Sequence, residues 1–179
     1  MASLDNLGSL SHFLPELLLA GGALLIFLLD LVWGQRRRGL YPWLGIAFLA
    51  VAGLAALAAR GDGSRLLFEN MLALDGFTRL FRLLFVLVGV LTLIMASRSR
   101  ELKNAGGEFT ALLLIVVLGM MLMAGAANLL MAYLAMEMVS VLSYAMVGSL
   151  RGNARSHEAG LKYVIFGGAS SGVMLYGMS

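Results

Sequence analysis

Six apolar runs, at about 13–33, 41–59, 77–96, 109–127, 129–148 and 159–179, follow one another with only short polar links between them. Each is close to the ~20 residues a helix needs to cross a hydrocarbon core of roughly 30 Å. The chain is 60% hydrophobic and 13% charged, too little polar surface to clothe a soluble domain of 179 residues. The expected fold is all-α, a polytopic transmembrane helix bundle of about six spans, with 1–179 as a single transmembrane domain. Ala126-Ala127-Asn128 is the tightest link, so the fourth and fifth spans should form an antiparallel helical hairpin. Arg36-Arg37-Arg38 ends the first run, and Arg60-Gly61-Asp62-Gly63-Ser64 is a turn-rich loop after the second. The first run is not a cleavable signal peptide, because its positive flank follows the apolar stretch and the stretch is too long. The sixth run reaches Ser179 without a polar flank, which leads us to expect the N-terminal piece of a longer chain.

The net charge of +3 is a topology signal and not a nucleic-acid signature, since the basic residues sit in short links between apolar runs. Arg36, Arg37, Arg38, Arg98, Arg100, Lys103, Arg151 and Arg155 fall in the first, third and fifth links; only Arg60 and Arg65 fall in the second and none in the fourth. By the positive-inside rule the odd links are cytoplasmic and the N-terminus is outside. The absence of cysteine excludes disulfides, thiolate metal sites and iron–sulfur ligation within the chain. His12 and His157 are far apart in sequence at membrane edges, a poor basis for a histidine metal site.

One carboxylate breaks the fifth run. Glu137 follows Asn128 by ~14 Å of helix, about half of the hydrocarbon core. A charge there costs at least ~2.5–3.5 kcal/mol on insertion scales, so such a residue faces a protein interior or a wet cavity, and handling of protons or ions is expected of it. The alternative is a protonated acid hydrogen-bonded to a neighbouring helix. Tyr133, Ser140 and Tyr144 recur with Glu137 at spacings of four, three and four, on one helix face that could pass protons along. Such hydroxyls serve equally as interhelical hydrogen bonds, worth ~0.6 kcal/mol each. Lys162 is the second intramembrane charge; it is either a proton carrier or a side chain that snorkels to the boundary and pairs with Glu158 one turn earlier. Arg79 and Arg82 follow Asp75 at the outer end of the third span, where an interfacial pair and snorkelling are expected. Glu16 and Asp30 sit near the two ends of the first helix, where water is close. Gly167-Gly168-Ala169-Ser170-Ser171-Gly172 lacks the lysine and hydroxyl of a phosphate loop; Gly168 and Gly172 fit close helix packing. No feature suggests bound haem, flavin or nucleotide.

The stretches "GEFTALLLIVVLGMMLMAGAANLLMAYLAMEMVSVLSYAMVGSLRG" and "SHEAGLKYVIFGGASSGVMLYGMS" closely resemble the subunit N family of bacterial NADH–quinone oxidoreductase, respiratory complex I. "LPELLLAGGALLIFLLDL" and "LALDGFTRLFRLLF" match the family's opening more loosely. The resemblance implies an antiporter-like, proton-translocating subunit of the bacterial inner membrane, with other membrane-arm subunits and the bilayer as partners and no nucleic acid. It implies no cofactor in this chain, NAD and quinone being used by the whole complex. Glu137 matches the family's fifth-helix glutamate in "YLxxExxSxxxY", and Lys162 the sixth-helix lysine of "EAGLKY". A related multisubunit Na⁺/H⁺ antiporter or membrane-bound hydrogenase subunit is the nearest alternative; a non-conducting membrane scaffold is another.

Overall fold

The computed structural model describes residues 2–3, 12–33, 37–58, 65–99, 106–150 and 153–179. Among them are six helices, α1 (Leu14–Trp33), α2 (Tyr41–Ala58), α3 (Gly76–Arg98), α4 (Gly106–Gly125), α5 (Leu129–Gly148) and α6 (Ala154–Met178). Helices α1 to α5 are long and apolar enough to cross a membrane. The sixth expected span forms the longest helix, at 25 residues, but Lys162, Tyr163 and its glycines and serines dilute its apolar run below that of the others. Leu31, Phe27, Leu54, Leu80 and Phe166 are exposed on the outer faces, the arrangement a lipid-facing bundle requires.

Polar side chains start three of the helices, and α6 begins at Ala154, five residues before the expected run at 159. The Asp75 carboxylate accepts the Thr78 amide at 2.8 Å at the head of α3, and the Asn128 side chain accepts the Met131 amide at 2.8 Å at the head of α5. Asn153 caps α6 through the amides of Arg155 and Ser156. Each satisfies donors that the first helical turn leaves open. The three-residue link at 126–128 folds α4 and α5 into the expected hairpin.

The core lies among the first four helices, with Leu19 and Ile26 of α1, Leu49 of α2, Leu93 of α3 and Leu114 and Val117 of α4 fully buried. Helix α4 is its centre, touching α1, α2, α3 and α5. Missing side chains allow the close approaches: a Cβ on Gly22 would stand 2.6 Å from the Phe48 ring, and one on Gly45 would stand 2.5 Å from Thr110 Cγ2. Helices α5 and α6 hang on the outside of this core. Ala135 is the only buried residue of α5, and Ser156 and Gly160 are those of α6.

A small sheet, absent from the sequence expectation, closes one end. Strand β1 (Ala2–Ser3) runs parallel to β2 (Arg65–Leu67), which forms an antiparallel hairpin with β3 (Leu72–Leu74). Its turn places Phe68, Glu69 and Asn70 at φ of 50°, 53° and 68°, a left-handed stretch costing about 1–2 kcal/mol for each such residue. The Phe68 ring packs edge-on against Phe13, with centroids 5.2 Å apart. Leu72 bridges to Ala126, and the Ala127 amide donates to the Met71 carbonyl at 2.9 Å, so the α4–α5 turn joins the same end. At the opposite end the Arg38 carbonyl lies against Gly106, and the Asp30 carboxylate occupies the space a Gly107 side chain would need. Asp30 thereby meets the electropositive start of α4. The even links and the N-terminal strand thus share one end, and the first and third links the other. The turn at 60–64 and Arg36, Arg100, Lys103 and Arg151 lie outside the described residues.

Candidate functional site

Capping by Asn128 places Glu137 nine residues along α5, midway through a 20-residue helix. The α4 side of α5 is seated by Gly119, where a Cβ would stand 2.8 Å from Val139. Glu137 itself is half-buried, and its Oε1 is shut off from solvent with no hydrogen-bond partner. A buried carboxylate oxygen without a donor is costly as a fixed charge. It is a place where a proton or a cation gains most by arriving.

Glu137 also lines a groove of about 600 Å³ between α5 and α6. The α5 wall is Glu137, Val141, Tyr144, Ala145 and Gly148, and the α6 wall includes His157, Gly160 and Leu161. Of the expected hydroxyl stripe, Tyr144 is on the groove. Ser140 is ~60° round the helix from Glu137, on the side away from Val141; its carbonyl accepts the Ser143 hydroxyl at 2.7 Å. Tyr133 is half-buried one turn before Glu137 and is not part of the lining. Tyr144 sets its ring edge against Tyr163, centroids 4.5 Å apart, with its hydroxyl pressed onto Gly167.

Lys162 is elsewhere. Its Nζ pairs with Glu158 Oε1 at 2.6 Å, and both side chains are about two-thirds exposed, at 66% and 63%. At 3.6 residues per turn Lys162 lies ~140° round α6 from His157, so it points away from the groove that holds Glu137. Within this chain the two charges singled out from sequence are not brought together.

The α5–α6 crossing rests on Gly148 and Gly160, where a Cβ on Gly160 would come within 3.0 Å of the Gly148 Cα. Ser156 ties the same corner by donating to the Val147 carbonyl at 2.6 Å. The packing role expected of Gly168 and Gly172 finds no partner among the described residues: a Cβ on either meets open space, and Gly168 lines the groove. Gly160→Val should therefore lower stability by about 1–3 kcal/mol through overpacking, while Gly172→Val leaves it unchanged. Equal unfolding midpoints for the two purified variants would move the crossing elsewhere.

A second charged site was not anticipated. Arg82 Nη2 bonds Glu16 Oε1, with side chains only 6% and 1% exposed. The interfacial and snorkelling expectations for these two residues are thus overturned: a sealed position offers no water to reach, and each charge is neutralised by the other. Glu16 Oε2 and Arg82 Nε remain buried without partners. A signal existed in the sequence. Helices α1 and α3 run in the same direction, with an acid, Glu16, near the N-terminal end of one and two arginines, Arg79 and Arg82, near that of the other.

The family model for the transmembrane region of NADH:quinone oxidoreductase and Mrp antiporter proteins matches residues 126–179, which contain α5 and α6. Along nearly the whole chain there is similarity to curated proteins named NADH-quinone oxidoreductase subunit N. The protein of Anaeromyxobacter sp. (strain Fw109-5) is 44% identical over 98% of this chain and 34% of its own length. Subunit N 2 of Sorangium cellulosum (strain So ce56) is 42% identical over 99% of this chain and 37% of its own. Subunit N 2 of Chloroherpeton thalassium (strain ATCC 35110 / GB-78) is 39% identical over 94% and 34%. The chain thus spans about a third of the length of the curated relatives it matches. Its apolar helices and their capped boundaries, and the match over α5 and α6, fit one conclusion: this membrane protein is a homologue of NADH-quinone oxidoreductase subunit N.

Proposed function

We propose that this chain forms a single transmembrane unit of a proton-translocating, antiporter-like subunit of NADH–quinone oxidoreductase, coupling electron transfer from NADH to quinone to proton movement. NADH and quinone are used by the assembled complex, and the partners of this chain are other membrane-arm subunits and the bilayer. The observation that carries this reading is the Glu137 carboxylate, midway along a membrane-spanning helix, with a buried oxygen lacking any donor. Tyr144 is its closest ally in the groove, with Tyr133 and Ser140 flanking on neighbouring faces. Lys162 acts as the second proton-handling group once its pairing with Glu158 is released. The Glu158–Lys162 bond favours a second reading for the lysine alone, a surface ion pair that steadies α6. The deciding experiment is Glu137→Gln in the assembled complex: proton pumping linked to quinone reduction should fall while assembly persists, and pumping at the wild-type rate refutes the proposal.

The location that fits this role is the bacterial inner membrane with the N-terminus in the periplasm. Arg37, Arg38 and Arg98 stand at the end away from the sheet, as positive-inside charges should. The chain contains no cysteine, so single cysteines report cleanly. In intact cells an impermeant thiol reagent should label Glu69→Cys and spare Arg37→Cys; the opposite pattern reverses the orientation.

A further inference from the structure

The groove that holds Glu137 ends beside His157. This histidine stands in the first turn of α6, exposed, at the end of the bundle away from the sheet. Glu137 is eleven residues before Gly148, ~16 Å of helix, and Gly148 meets Gly160 one turn beyond His157. The groove therefore runs from the aqueous edge toward mid-membrane, with Tyr144 between. These three are its polar side chains; the rest are apolar residues and glycines, and Gly148 and Gly160 leave the walls bare where the helices cross. About 600 Å³ is far more than the ~30 Å³ share of one water molecule. The volume leaves room for several waters, with Glu137, Tyr144 and His157 as the polar groups that could anchor them.

We propose that this groove is the aqueous proton route to Glu137 and that His157 is the proton acceptor and donor at its mouth. The proposal rests on the reading of Glu137 as a proton site. An imidazole is suited to the mouth because it takes a proton on one ring nitrogen and releases one from the other. The step balances: a proton from the aqueous phase bonds to one nitrogen of neutral His157, and the N–H of the other nitrogen breaks to give its proton to groove water. Transfer along the water, past the Tyr144 hydroxyl, ends with an O–H bond on Glu137. One proton enters, one arrives, and nothing is oxidised or reduced. Lys162 and Glu158 stand off this stretch of the route, paired with each other on the far side of α6; the role proposed for Lys162 begins only when that pair opens.

Three measurements on the assembled complex test the route. Val141→Cys lines the groove, whereas Val51→Cys is exposed on the outer face of α2. A charged, water-borne methanethiosulfonate should modify position 141 and leave position 51 unmodified; an unreactive position 141 means a dry groove and overturns the proposal. His157→Ala should slow proton pumping about tenfold or more, and added imidazole should restore most of the rate, which a merely structural loss would not allow. A slow variant that imidazole fails to rescue assigns His157 to folding and overturns its role. Should His157→Ala fail to assemble, the labelling of position 141, with His157 intact, decides alone. The two readings separate cleanly: wild-type pumping by His157→Ala beside a failed Glu137→Gln removes the route and keeps the glutamate, whereas wild-type pumping by Glu137→Gln removes the glutamate itself.

Discussion

Arg82→Met should destabilise the protein by about 3–5 kcal/mol, because it leaves the Glu16 carboxylate buried without its counter-charge. Glu16 is 1% exposed, and its one ion-pair contact among the described residues is to Arg82. Methionine fills much of the arginine stem's volume, so the loss is one of charge compensation more than of packing. The double variant Glu16→Gln with Arg82→Met should recover most of the loss, since replacing both members of a buried pair by neutral groups is often close to neutral. Unfolding of the purified protein in detergent measures both. Wild-type stability for Arg82→Met alone would show that the pair does not hold α1 and α3 together.

The opposite pattern is expected for Glu137→Gln, which should leave stability nearly unchanged and remove most quinone-linked proton pumping. Glu137 Oε1 has no donor to lose, and the amide has almost the same shape. What the amide lacks is the capacity to bind and release a proton. In a carboxylate each unit by which surrounding charge shifts the pKa corresponds to ~1.4 kcal/mol of proton affinity, so approach or withdrawal of a positive charge converts into uptake or release. Glu137→Asp keeps that capacity one methylene further back and should be milder. Proton pumping and NADH-driven quinone reduction by the same preparation give the ratio that checks this. An unchanged ratio for Glu137→Gln would make the glutamate a packing residue. A large fall in stability would say the same by another route.

Much of the fold was legible along the chain. Runs of about 20 apolar residues mark α1 to α5 because lipid selects for local composition. Glu137 stood out for the same reason: its cost in a bilayer depends on its own depth and not on its neighbours. The small sheet was hidden because its strands are two or three residues long, below the length at which alternation can be read.

Taken alone, the sequence determined the helical membrane class, the hairpin of α4 and α5, the arrangement of links at the two ends and the one acid in the middle of a span. These follow from hydropathy, link length and charge count, all properties of a short stretch. Only the tertiary structure decided which charges meet. Glu16 and Arg82 stand 66 positions apart and pair because α1 and α3 start at the same end of the bundle. Lys162 and Glu137 are the two intramembrane charges singled out on successive spans, yet ~140° of rotation about α6 turns the lysine to the surface and sets His157 on the groove in its place. That rotation is chosen by where Gly160 lets α6 press onto Gly148. Helix faces are assigned by packing between segments, and the identity of the neighbour is not written in either segment alone.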